Sequence, residues 1–141
     1  MEPSGVDSAD FPKGHRQHLL RLAALAGETL TSLRVRDALG AVRALATHNA
    51  VDPKGIYLWG KGELAIPALY GTVADEKIAG VFLEDAPEHH TSETALFRIL
   101  RYAEVPQSAA LLFPRPVFFL GQRAKEFLWT EEVYRALNDL S

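Results

Sequence analysis

The 141-residue sequence has no cysteine. That excludes disulfides, thiolate nucleophiles and cysteine-based zinc sites. It has no excess of basic charge either: the net charge is −3 and the calculated pI is about 5.9. Lys and Arg are scattered, and no basic run is interleaved with aromatics. Neither nucleic acid nor an anionic membrane surface is therefore an expected partner. No apolar run approaches the roughly 20 residues that span a bilayer. The opening MEPSGVDSADFPKG is acidic and polar. It lacks the basic and apolar regions of a signal peptide, so a cytoplasmic location is the expectation. Repeats and low-complexity tracts are also missing.

What is present suits one domain with a real core: 48% of residues are hydrophobic and 23% charged. Residues 1–14, rich in Pro, Gly, Ser and Asp, read as a flexible arm, and 15–141 as a single domain. HRQHLLRLAALAG places Leu19, Leu22, Ala23 and Ala26 at helical spacing and stops at Gly27. TSLRVRDALGAVRALATHNA is a stronger helix, with an apolar stripe through Val35, Ala38, Leu39, Val42, Leu45 and Ala46, and Thr31 or Ser32 as its cap.

Three short runs follow, IYLW (56–59), IAGVFLE (78–84) and PVFFLG (116–121). Each is apolar on consecutive residues, the pattern of parallel strands buried on both faces. Helices are expected over 64–73, over 92–103, and over TEEVYRALNDL with Thr130 as cap. The predicted class is α/β: a three-layer fold with a short parallel sheet of about three strands flanked by helices.

GIYLWGKG, residues 55–62, satisfies G-x-x-x-x-G-K, the spacing of a phosphate loop. The residue that should bring a hydroxyl to Mg²⁺ is Gly62, and the four intervening residues are the strand itself. At most, backbone N–H groups at Lys61, Gly62 and Glu63 could hold an anion at the helix N-terminus. The same stretch fits a nucleophile elbow, G-x-S-x-G, with Gly60 first, Gly62 in the nucleophile position and Leu64 where the last Gly belongs. Glycine has no atom with which to attack a carbonyl.

VDPKGIYLWGKG, IAGVFLEDAP and LLFPRPVFFLG together resemble the C-terminal half of an α/β-hydrolase, closest in flavour to the acetylxylan-esterase, dienelactone-hydrolase and prolyl-oligopeptidase-like branch. The resemblance covers roughly residues 30–121. It implies a partial α/β-hydrolase fold with a degenerate triad. The nucleophile position is Gly62. The acid position, three residues after Gly121, is Ala124, and Glu126 is the nearest carboxylate. The family's order puts the histidine after the acid, whereas His15, His18, His48, His89 and His90 all precede Ala124. The resemblance thus implies a truncated, non-catalytic pseudo-hydrolase without a cofactor, keeping at most the Glu63 N–H of an oxyanion hole. The alternative is an esterase-like serine hydrolase of esters or peptides, with displaced residues such as Thr91 and Ser92, or completed by another chain.

A polar cluster, Glu84, Asp85, Glu88, His89 and His90, lies where loops leave the second strand, the functional edge of parallel sheets. Adjacent histidines point apart on a strand, so no metal site is expected; His89 with Glu84 or Asp85 is an acid–base candidate. Tyr57, Trp59, Phe82, Phe118 and Phe119 read as core. Trp129 beside Phe127 reads as a staple for the last helix. In a complete hydrolase sheet the IYLW strand has neighbours on both sides. Here one side is open, so self-association or a partner chain is expected through the edge near Ile56–Trp59.

Overall fold

The structure, a computed structural model, describes residues 13–91, 94–96 and 98–140. In chain order the elements are α1 (Lys13–Leu25), α2 (Leu30–Ala46), β1 (Tyr57–Lys61), α3 (Ala65–Ala74), β2 (Gly80–Glu84), α4 (Val105–Ala110), β3 (Val117–Leu120) and α5 (Leu128–Asn138). The strands form one parallel sheet in the order β1-β2-β3. This is the expected α/β class, with a three-stranded parallel sheet flanked by helices.

The corner between α1 and α2 is closed at both ends. Gly27 takes φ +73°, and the Glu28 N–H reaches Ala23 O at 2.8 Å while Gly27 N–H reaches Ala24 O at 3.0 Å. That is the double bond of a Schellman cap. The expected cap of α2, Thr31 or Ser32, gives way to Thr29. Thr29 Oγ1 accepts from Ser32 N–H, and Ser32 Oγ accepts from Thr29 N–H. Thr31 is instead buried. Of the expected arm, Lys13 and Gly14 already belong to α1, and the remainder lies outside the described residues.

Alternate strand residues separate the two faces of the sheet. Leu58, Val81, Leu83, Val117 and Phe119 join one core with Ile66 and Leu69 of α3, Val105 and Ala109 of α4, and Phe127. Val42 of α2 closes a smaller cluster with Ile56 and Ile78. The C-terminus of α3 is tied down by Arg115, whose Nη1 donates to the carbonyls of Thr72, Asp75 and Ile78 at 2.7, 2.9 and 3.1 Å.

The other face carries Tyr57, Trp59 and Lys61 from β1, Phe82 and Glu84 from β2, and Phe118 and Leu120 from β3. Trp59 is 67% exposed, and Tyr57, Phe118 and Leu120 each more than 40%. Among the described residues the packed layer therefore lies on one face, and the cover on both faces that doubly buried strands imply is not seen there. Consecutive crossovers of one hand between neighbouring parallel strands place their helices on the same side. Likewise Tyr57, Trp59 and Phe118, expected in the core, line the open face, where Phe82 and Phe118 stack with centroids 4.6 Å apart. Phe119 alone of the five packs against the main core, meeting Phe127 at 4.8 Å.

Three further expectations change. Among the described residues of 92–103 there is only a 3-10 turn, Ile99–Arg101, and the helix lies at 105–110, where Pro106 in the first turn suits a helix start. Thr130 does not cap α5: it sits inside the helix, buried, and donates to Pro106 O at 2.9 Å. Phe127 is fully buried and Trp129 44% exposed, so Phe127 anchors the helix and Trp129 is no staple.

Candidate functional site

All three strands end at one edge on a left-handed residue: Gly62 after β1 (φ +55°), Asp85 after β2 (φ +49°) and Gly121 after β3 (φ +68°). Left-handed backbone is costly for any residue bearing a Cβ, so Asp85 is held there by its contacts. Its Oδ1 accepts from Gln122 N–H at 2.8 Å, and its own N–H reaches Leu120 O at 3.0 Å. A Cβ on Gly121 would collide with the Asp85 carboxylate.

The elbow is geometrically tight. A Cβ on Gly60 would lie 2.7 Å from Ala65 Cα and overlap the Leu64 carbonyl. At Gly62 a Cβ would meet nothing within 4 Å. The turn thus requires glycine at Gly60 for space and favours it at Gly62 for φ, while leaving room for a side chain at Gly62. The Lys61 side chain turns to the neighbouring strand: its Nζ donates to Glu84 Oε1 at 2.7 Å and lies 3.8 Å from Asp85 Oδ2. Those two carboxylates, Glu84 first, hold the lysine above its ordinary value. Glu63 adds an exposed carboxylate beside the turn.

A cavity of about 510 Å³ opens beside this edge, lined by Asp85, Ala86, Pro87, Glu88, Gln122, Arg123 and Ala124. Ala124, at the implied acid position, turns its methyl into the core, and Glu126 is exposed. A larger cavity, about 920 Å³, lies at the opposite ends of the strands, where Ile56, Ala79 and Arg115 precede them. Volume and strand-end chemistry are thus at opposite ends of the sheet.

The expected cluster of Glu84, Asp85, His89 and His90 divides in two. The carboxylates pair with Lys61, and the histidines turn towards Glu104. His89 is exposed and 3.9 Å from Glu104 Oε2. The His90 side chain is wholly buried. Its backbone N–H and its Nδ1 each lie 3.1 Å from Glu104 Oε2, and its Nε2 lies 2.7 Å from Tyr70 Oη. Tyr70 Oη in turn lies 2.8 Å from the buried Ser108 Oγ.

An ionised carboxylate only accepts, so Nδ1 carries a proton; in the neutral imidazole Nε2 then accepts from Tyr70, and Ser108 donates to Tyr70. Burial raises the Tyr70 hydroxyl above its ordinary value, against the opposing effect of the Ser108 bond. Burial also disfavours the Glu104 carboxylate, but the two bonds from His90 outweigh it, and Glu104 is lowered overall.

The result is a hydrogen-bonded chain, Ser108–Tyr70–His90–Glu104, joining α3, α4 and the loop after β2. It has the order of a hydrolase relay with a tyrosine inserted. Tyr70 and Glu104 were not among the sequence candidates. The available signals were one hydroxyl in the apolar run AIPALYG and an acid directly before the VPQ helix start. Ser92 lies outside the described residues. No three His, Asp or Glu side chains among the described residues converge as a metal site. No helix among them is long and apolar enough to cross a membrane.

Comparison with known proteins gives no match to any family model, any curated protein or any solved structure.

Proposed function

We propose that the chain is a non-catalytic, α/β-hydrolase-like module, a pseudo-hydrolase that keeps an elbow without a reacting atom. One observation carries this reading. The strand-to-helix turn at Gly60–Gly62 has the tightness and the left-handed φ of a nucleophile elbow, and Gly62 stands in the nucleophile position. Ala124, in the implied acid position, adds to it. The buried His90 is engaged with Tyr70 and Glu104 rather than with the turn. The module is cytoplasmic and works through association, as a homo-oligomer or with a partner chain at the β1 side of the sheet near Ile56–Trp59. Of that stretch Tyr57 and Trp59 are exposed, whereas Ile56 is buried under α2.

The test is Gly62→Ser. An added Cβ meets nothing within 4 Å and the left-handed φ costs about 1 kcal/mol; once shown to melt cooperatively, the variant should hydrolyse short-chain p-nitrophenyl esters no faster than the parent. Turnover appearing in the variant alone would mean that an acid and a base already face the elbow, and the reading would fall.

The relay supports a second reading, an esterase-like hydrolase with displaced residues. Ser108 would be the nucleophile, activated through Tyr70 by His90. Its hydroxyl is buried, so this reading requires α4 to open before an ester could reach it.

A further inference from the structure

Among the described residues two apolar surfaces have no cover, and they match in size and kind. One is the open sheet face, where Trp59, Phe82 and Phe118 form one cross-strand row. The other is α1. Its residues Leu19, Leu22 and Leu25 are 49%, 50% and 85% exposed, and the helix makes no extensive contact with any other element. Thirteen residues give a helix about 20 Å long, and five-residue strands run about 17 Å, so one helix can lie along the face.

The helix cannot cover its own sheet. Its C-terminus is locked by the Schellman bonds at Gly27 and Glu28. The next residue, Thr29, is locked as the cap of α2, with Glu28 also bound by Ser32 Oγ at 2.6 Å and paired with Arg36. α2 packs on the covered side, and the two caps hold the corner from which α1 leaves it. The four linker residues, Ala26 to Thr29, spanning about 14 Å at most, would have to unwind both caps to bring it around the β1 edge.

We propose that the chain forms a reciprocal homodimer in which α1 of each copy lies on the open sheet face of its partner. Charge favours the exchange: the α1 sequence carries Lys13, Arg16 and Arg21 and no carboxylate, and at the rim of the open face two carboxylates, Glu84 and Asp85, share one lysine, Lys61. Each helix-on-sheet contact hides on the order of 800 Å² counted over both partners, and two reach the ~1,600 Å² of a standard stable interface. The inference moves self-association from the strand edge to the sheet face. It stands whether or not Ser108 reacts, so its failure and that of the pseudo-hydrolase reading are separable.

Sedimentation of the full chain at tens of micromolar should give twice the chain mass. Leu22→Glu and Trp59→Lys, both at exposed positions, should each sediment at the single-chain mass while keeping a cooperative melt. An equimolar mixture of the two should regain dimer, because one chain keeps its helix and the other its sheet face. Since the chain has no cysteine, Leu22→Cys with Phe118→Cys should yield a disulfide-linked dimer on oxidation. A monomeric parent chain overturns the proposal. So does a dimer that survives Leu22→Glu, which would place sheet against sheet or edge against edge. A disulfide formed within one chain would put α1 on its own sheet and also overturn it.

Discussion

Gly60 and Gly62 stand two residues apart in the same turn and are held by different constraints. At Gly60 the obstacle is backbone: a Cβ would press on Ala65 Cα and the Leu64 carbonyl, neither of which can rotate away. At Gly62 there is space, and only the left-handed φ disfavours a side chain. Gly60→Ala should therefore destabilise the fold by about 3 kcal/mol or more through displaced backbone. Gly62→Ala should lose only about 1 kcal/mol. Urea titrations of the two variants check the contrast, and equal losses would mean that the turn is looser than described. This pair of glycines was legible in the sequence because spacing alone marks a tight strand-to-helix turn. Asp85 stood out in the sequence for its charge beside Glu84 and the histidines, but its left-handed backbone was not legible, since that depends on Leu120 at the end of β3 and Gln122 just after it.

At the scale of elements, the Ser108–Tyr70–His90–Glu104 chain fastens α3, α4 and the loop after β2 to one another. Tyr70→Phe removes the central hydroxyl and leaves two buried polar groups unpaired, a loss of about 1–3 kcal/mol. Adding Ser108→Ala should recover part of it, because that group then no longer needs a partner. A double-mutant cycle by thermal or chemical denaturation reads the coupling, and strict additivity would contradict a shared network.

Glu104 gives the network a pH signature. Its carboxyl is lowered in the fold. Its contribution is therefore present above the ordinary value of 4.5 and is lost as pH falls through the lower folded value. Glu104→Gln should flatten the acid side of the stability profile below pH 4.5 and leave the neutral side parallel to the parent. With its side chain 40% exposed, solvent screening keeps the effect small. None of this chain was readable as a unit, because its members meet across separations of 14, 20 and 38 residues. His90 was singled out for its type and neighbours, whereas its partners are set by packing.

The whole molecule departs from the sequence expectation in its layering. IYLW, GVFLE and VFFL read as doubly buried strands because nearly every residue is apolar. The class, the strand count and the parallel order follow from that pattern, but the open face does not. Trp59 and Phe118 stand exposed at alternate positions, and apolar composition cannot tell a face covered by a helix from one awaiting a partner. The same limit applied to α1, whose periodicity marks a helix but not what it packs against. An aromatic face of this kind, beside a strand-to-helix turn with glycine at its tightest points, supports the proposed reading of association rather than turnover.

The most direct test of that account is fluorophosphonate labelling of the cooperatively folded chain, with the labelled residue mapped by peptide analysis. The account predicts no specific label at any serine, because Gly62 offers no atom to phosphonylate and Ser108 is sealed beneath Tyr70. A stoichiometric label on Ser108, abolished by His90→Gln, would show an activated nucleophile and contradict it.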